Sequence, residues 1–125
     1  MILDHIDLRV GDLERARAFY GAWLPLLGLS EHDEDHGWVE FSSPHRLGPF
    51  FSLIEDSSHR PGHTRIAFGA ESRVAVDTAA AAAAGAGAIG MEGPAPCPEY
   101  TPDYYAAFFA DPDGNLLEIC HRGDA

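Results

Sequence analysis

Two histidines and one glutamate have the types and spacing for metal chemistry. His5 and His63 stand 58 residues apart and open two stretches that echo one another, His5-Ile6-Asp7-Leu8-Arg9-Val10 and His63-Thr64-Arg65-Ile66-Ala67-Phe68. In each stretch apolar residues alternate with the histidine, so both imidazoles fall on the polar side of a strand. Glu118 lies in Leu116-Leu117-Glu118-Ile119-Cys120, with Leu117 and Ile119 turned the other way. Two imidazoles and a carboxylate held by rigid strands make a facial triad, which binds a divalent ion and leaves positions open for water and substrate. Arg9, Arg65 and Asp7 share the parity of the histidines. The arginines suit a carboxylate or phosphate on a substrate, or equally an ion pair inside the cleft.

The elements that must position these groups can be read from punctuation and period. The strand over His5–Val10 ends at Gly11; Asp12 is an N-cap, and Leu13, Ala16, Phe19, Tyr20 and Trp23 recur at helical spacing until Pro25 and Gly28. A polar run from Ser30 to Gly37 reads as a connector before a short strand, Trp38–Phe41, and Phe50–Glu55 reads as another strand. The sentence then restarts with a strand from His63 to Gly69, a helix over Ala70–Ala84 and a short strand over Ala88–Met91. Four prolines between Pro94 and Pro102 predict a loop; Tyr104–Phe109 and Asn115–His121 are strands joined by the turn Asp111-Pro112-Asp113-Gly114. A shift of 58 superposes His5 on His63, Val10 on Phe68, Gly11 on Gly69 and Arg15 on Arg73, and a shift of 66 superposes Phe50–Ile54 on Leu116–Cys120. The chain therefore reads as two copies of strand-helix-strand-strand-strand, module one at about residues 1–57 and module two at about 62–122 of a single 1–125 domain.

Composition narrows the partners. The chain has 125 residues, 20 acidic and 8 basic, for a formal net charge of −12. Every basic residue is arginine, so Schiff-base, lysine general-base and P-loop chemistry are excluded. The negative charge argues against nucleic acid and anionic membranes, both of which recruit basic surfaces. Cys97 and Cys120 make neither a disulfide framework nor a cysteine-based zinc site. No signal segment or long apolar run is present, and the expectation is a cytoplasmic protein.

The opening Leu3-Asp4-His5-Ile6, the segment Gly62-His63-Thr64-Arg65-Ile66-Ala67-Phe68 and the stretch from Tyr104 to Glu118 together resemble the vicinal oxygen chelate superfamily, which includes glyoxalase I, bleomycin-resistance proteins, fosfomycin-resistance thiol transferases and extradiol dioxygenases. The resemblance covers essentially the whole chain. It implies an α+β fold of two paired βαβββ modules, with a curved mixed sheet around a cleft and helices on the outer face. It also implies a divalent metal (Fe, Mn, Ni or Zn) on His5, His63 and Glu118, a small-molecule substrate or ligand, and a homodimer in which modules pair within or between chains. Relatives of the glyoxalase I kind add a Glu or Gln ligand at the position that falls on Ser52. Serine is a poor ligand for a divalent ion, so this departure counts against glyoxalase I activity and leaves Ser52 on the substrate side. Tyr104, Tyr105 and His121 are candidates for the tyrosine and the outer-sphere histidine of the dioxygenase branch. Tyr100 and Tyr105, with Tyr104, Phe50, Trp38 and Phe108, suit an aromatic wall for a planar ligand or, equally for most of them, core packing, and Tyr100 is the lid candidate. Two functions follow: a metal-dependent lyase, isomerase, thiol transferase or dioxygenase, or a non-catalytic protein that sequesters a drug or natural product.

Overall fold

A computed structural model describes residues 2–123 of the chain. Module one runs β1 (His5–Val10), α1 (Leu13–Gly21), a 3-10 turn (Leu24–Leu27), β2 (Glu31–Asp35), β3 (Trp38–Ser42), a second 3-10 turn (Pro44–Arg46) and β4 (Phe50–Glu55). Module two runs β5 (Arg65–Gly69), α2 (Arg73–Gly85), β6 (Ile89–Pro96), β7 (Tyr105–Ala110) and β8 (Leu116–His121). The strand orders are β1-β4-β3-β2 and β5-β8-β7-β6. In each sheet the first and last strands of the module pair in parallel and the other neighbours are antiparallel. The identical order in both halves is the βαβββ repeat expected from the 58- and 66-residue shifts. The eight strands form two mixed sheets, and among the described residues no strand pairing joins them.

Both helices start where side chains offer caps. Asp12 accepts from the Arg15 amide at 3.0 Å, and Ser72 accepts from the Ala75 amide at 3.0 Å, so α2 begins at Arg73 and not at Ala70. α1 stops at Gly21, and Trp23 caps the 3-10 turn that carries Pro25 and closes at Gly28, whose φ of 103° suits glycine.

Two edge strands depart from the sequence expectation. β2 occupies the supposed connector: five exposed charged or histidine residues carry no alternation, yet an edge strand tolerates and even favours such charge. β6 continues through Pro94 to Pro96 with two register shifts against β7, because proline's missing N–H is harmless on an edge.

Each helix covers one face of its own sheet, and the two covered faces meet in one core. Phe19 and Trp23 of module one pack edge-on against Phe109 of β7, and Phe51 of β4 packs against Phe68 of β5. At its centre Asp111 is fully buried. One carboxylate oxygen accepts from the Asp113 and Asn115 amides, each at 2.9 Å, and the other from Asn115 Nδ2 at 2.9 Å and the Tyr20 hydroxyl at 2.6 Å. Burial, reinforced by Asp111, pushes the Tyr20 phenol up, so this hydroxyl stays a donor at all ordinary pH. Beside it, Asp113 accepts from the Gly11 amide at 3.1 Å and from Arg15 Nη2 at 2.9 Å, and Asn115 Nδ2 donates to the Arg9 carbonyl at 3.2 Å.

Tyr20→Phe removes one donor from a buried carboxylate and is expected to lower unfolding free energy by about 1.5–3 kcal/mol. Asp111→Ala strands several buried donors at once and is expected to cost more, about 3–5 kcal/mol. Urea unfolding of the two variants checks the order; equal effects would show that the hydroxyl alone carries the contact.

Candidate functional site

In the first sheet, residues in register share a face, and three rows cross the face turned away from the core. His5 pairs with Phe50, which pairs with Ser42; Asp7 pairs with Ser52, then Glu40, then Asp33; Arg9 pairs with Ile54, then Trp38, then Asp35. The His5 ring stacks on Phe50 at 4.4 Å with the planes 4° apart. Its Nδ1 is 2.7 Å from Asp4 Oδ1, which fixes the proton on Nδ1 and leaves Nε2 with its lone pair free, 3.8 Å from Asp7 Oδ2. The Asp4 hydrogen bond, aided by the charges of Asp7, Asp4 and Glu40 and opposed by partial desolvation, raises the His5 pKa above its ordinary 6.5. Arg9 is exposed and sits 3.8 Å from Asp56. Ser52 is buried between Asp7 and Glu40.

In the second sheet Glu118 is the central residue of the open face, flanked in register by Ala67 and Phe108, with Cys120 between Gly69 and Ala106. Glu118 is buried, and Oε2 accepts from the Tyr104 hydroxyl. Burial chiefly, with Cys120 and Glu118 adding to it, pushes the Tyr104 phenol far up, so the proton stays on tyrosine. The Arg65 guanidinium lies over the Phe108 ring, 5.0 Å from its centre. Tyr100, 58% exposed, leans on Tyr104 at 5.1 Å and on Phe108 at 6.5 Å. His63 is exposed in the bend two residues before β5, not within the strand as the alternation suggested.

Tyr105 is not on this face. Its hydroxyl donates to Asp77 of α2 at 2.6 Å and Arg73 lies over its ring, so it belongs to the helix side. The tyrosine beside Glu118 is its neighbour Tyr104. The two are adjacent at the entry to β7, where the alternation has no earlier strand residue to fix its phase. His121 Nδ1 donates to the Ala70 carbonyl at 2.9 Å, the link between β8 and the entry to α2.

Among the described residues no three His, Cys, Asp or Glu side chains gather closely enough to hold one ion. His5 stands on one open face and Glu118 on the other, and both faces look away from the shared core. The donor chemistry fits a divalent ion: an anchored histidine with Nε2 open, a second exposed histidine, and a carboxylate with one oxygen outside the tyrosine bond. A single chain supplies this set in two parts. Between the free edges β1 and β5 runs an apolar groove of about 290 Å³, lined by Leu3, Ile6, Leu27, Leu29, Ile66 and Phe68.

The profile of the Glyoxalase/Bleomycin resistance protein/Dioxygenase superfamily matches residues 2–119. The chain belongs to that superfamily. A glyoxalase/bleomycin resistance protein from Albidiferax ferrireducens T118 superposes with a TM-score of 0.83 at 27% identity, over 98% of this chain and 100% of that one. The fosfomycin resistance protein FosX from Listeria monocytogenes shares the fold at 23% identity and a TM-score of 0.71, over 99% and 94% of the two chains. A glyoxalase-related enzyme from Fulvimarina pelagi does so at 21% and 0.72, over 95% and 86%. No curated protein matches. The superfamily membership accounts for the doubled βαβββ order, and among the described residues no helix is long and apolar enough to cross a membrane.

A raised His5 pKa means that its charged form adds stability fully present below pH 6.5 and lost as the pH rises through the raised value. An NMR titration is expected to place the His5 midpoint above 6.5, and Asp4→Asn to bring it down toward that value. A midpoint unmoved by the substitution would remove Asp4 as the cause.

Proposed function

We propose that this protein is a metal-dependent enzyme of the glyoxalase/bleomycin resistance/dioxygenase type, acting on a small oxygenated substrate that chelates a divalent ion. The observation that carries the reading is His5, whose Nδ1 is committed to Asp4 while Nε2 opens onto the exposed sheet face. His5, His63 and Glu118 hold the ion, and bound there it acts as a Lewis acid toward two neighbouring substrate oxygens. Lyase, isomerase, thiol transferase and dioxygenase reactions all use that polarisation. Around it, Asp4 orients the imidazole, Tyr104 keeps a proton at Glu118 Oε2, and Phe108 and Tyr100 wall off water. Arg65, held flat over Phe108, presents its guanidinium to an anionic group of the substrate.

The active form in this reading is a cytoplasmic homodimer. The open face of module one in one copy meets the open face of module two in the other, which brings His5 of one protomer to His63 and Glu118 of its partner. The apolar groove between β1 and β5, with the exposed Leu3 among its lining, supports a second copy as its occupant. A second reading, sequestration of a cationic drug or natural product, draws on the five acidic residues Asp7, Glu31, Asp33, Asp35 and Glu40 along the open face of the first sheet.

Complementation separates these readings. His5→Ala and Glu118→Gln are each expected to abolish metal binding. Mixed and allowed to exchange subunits, they regain about a quarter of the parental stoichiometry, because half the dimers are mixed and each holds one intact site. No recovery would place all three ligands within one chain. Unimpaired metal binding by either variant alone, with a planar cationic antibiotic raising the melting temperature of the metal-free protein, would favour sequestration.

A further inference from the structure

Asp7 faces the free nitrogen of His5, and its distance is informative. At 3.8 Å, Oδ2 and Nε2 are too far apart for a hydrogen bond. The gap suits two donors on one ion: with each about 2.1 Å from it, the angle between them is roughly 130°, which a small rotation of the Asp7 side chain brings to tetrahedral. Both groups are half-exposed on the same sheet face, with side-chain exposures of 42% and 49%. Asp4 on the far side of the ring already uses Nδ1, so Asp7 is not needed to hold the imidazole. Across β4 the residue in register with Asp7 is Ser52, a short side chain that carries no charge. Glu40 faces Ser52 from the other side, one strand farther from His5.

We propose that Asp7 is a further metal ligand, so that β1 contributes an imidazole and a carboxylate, two residues apart, to the same ion. This rests on His5 being a ligand. It makes the first sheet a bidentate half-site that captures an ion before the second sheet completes its shell. The resulting set of two histidines and two carboxylates is harder than a histidine-rich one, and favours Mn or Fe over softer ions.

The test uses the full-length, metal-free protein with Co2+ alone, followed by equilibrium dialysis and by visible d–d absorption. The parent is expected to bind Co2+, and His5→Ala to lose it. Asp7→Asn is expected to weaken binding by more than the roughly 10–100-fold that loss of an outer-sphere partner costs, with a changed spectrum, while Glu40→Gln shifts affinity by less than about threefold. Because positions 7 and 52 are in register, adding Ser52→Glu to Asp7→Asn is expected to restore most of the affinity. Parental affinity and spectrum in Asp7→Asn, with binding lost in His5→Ala, would overturn the Asp7 assignment and leave His5 as a ligand. A larger loss in Glu40→Gln than in Asp7→Asn would also overturn it. Unimpaired binding in His5→Ala, or a parent that takes up no Co2+, would overturn both readings.

Discussion

The buried carboxylate of Asp111 ties together what the repeat makes separately. A charged group with no exposure is costly unless every lone pair is used. Here four donors use them, and they come from both halves of the chain: the hairpin amides and Asn115 of module two, and Tyr20 of α1. The surrounding contacts extend that tie, with Asp113 reaching Gly11 and Arg15, and Asn115 reaching the carbonyl of Arg9. The joint therefore grips the end of β1 and the start of α1, the strand that carries His5 and the helix packed behind it. The aromatic core can then close around Trp23, Phe51, Phe68 and Phe109 with the two sheets at a fixed setting.

That setting decides what one chain can and cannot do. Two sheets that bury the same kind of face against each other must present the opposite faces outward. His5 and Glu118 are thus each well held, one by Asp4 and a stacked phenylalanine, the other by Tyr104, and yet belong to different surfaces. Their environments also differ: His5 stands among carboxylates on an acidic face, while Glu118 lies in a small pocket of Tyr104, Cys97 and Cys120. Each face supplies what the other lacks.

Much of this is legible in the sequence, and the gaps have physical reasons. The alternation around His5 and Glu118, the cap Asp12 and the paired shifts reveal the modules, because each leaves its mark in residue type and spacing. β2 was hidden because an exposed edge strand has no apolar side to alternate with its polar one. β6 was hidden because proline breaks an interior strand but not an edge. The side of the sheet taken by Tyr104 and Tyr105 depends on a phase that one residue reverses. Asp111 reads as part of a turn, which it is; its contact with Tyr20, 91 residues away, has no local signal.

The two sheets have unlike margins. One outer margin, β2, is a run of Glu31-His32-Asp33-Glu34-Asp35, whose charges repel any copy of themselves. The other, β6, is kinked by register shifts and denied a donor at Pro94 and Pro96. Both margins are closed to strand addition, whereas β1 and β5 border the apolar groove and keep unpaired backbone. The protection of the sheets is therefore uneven, placed on the outer margins and not on the inner ones. A strand approaching either outer margin meets like charge or a missing donor, so open-ended growth through those edges is disfavoured.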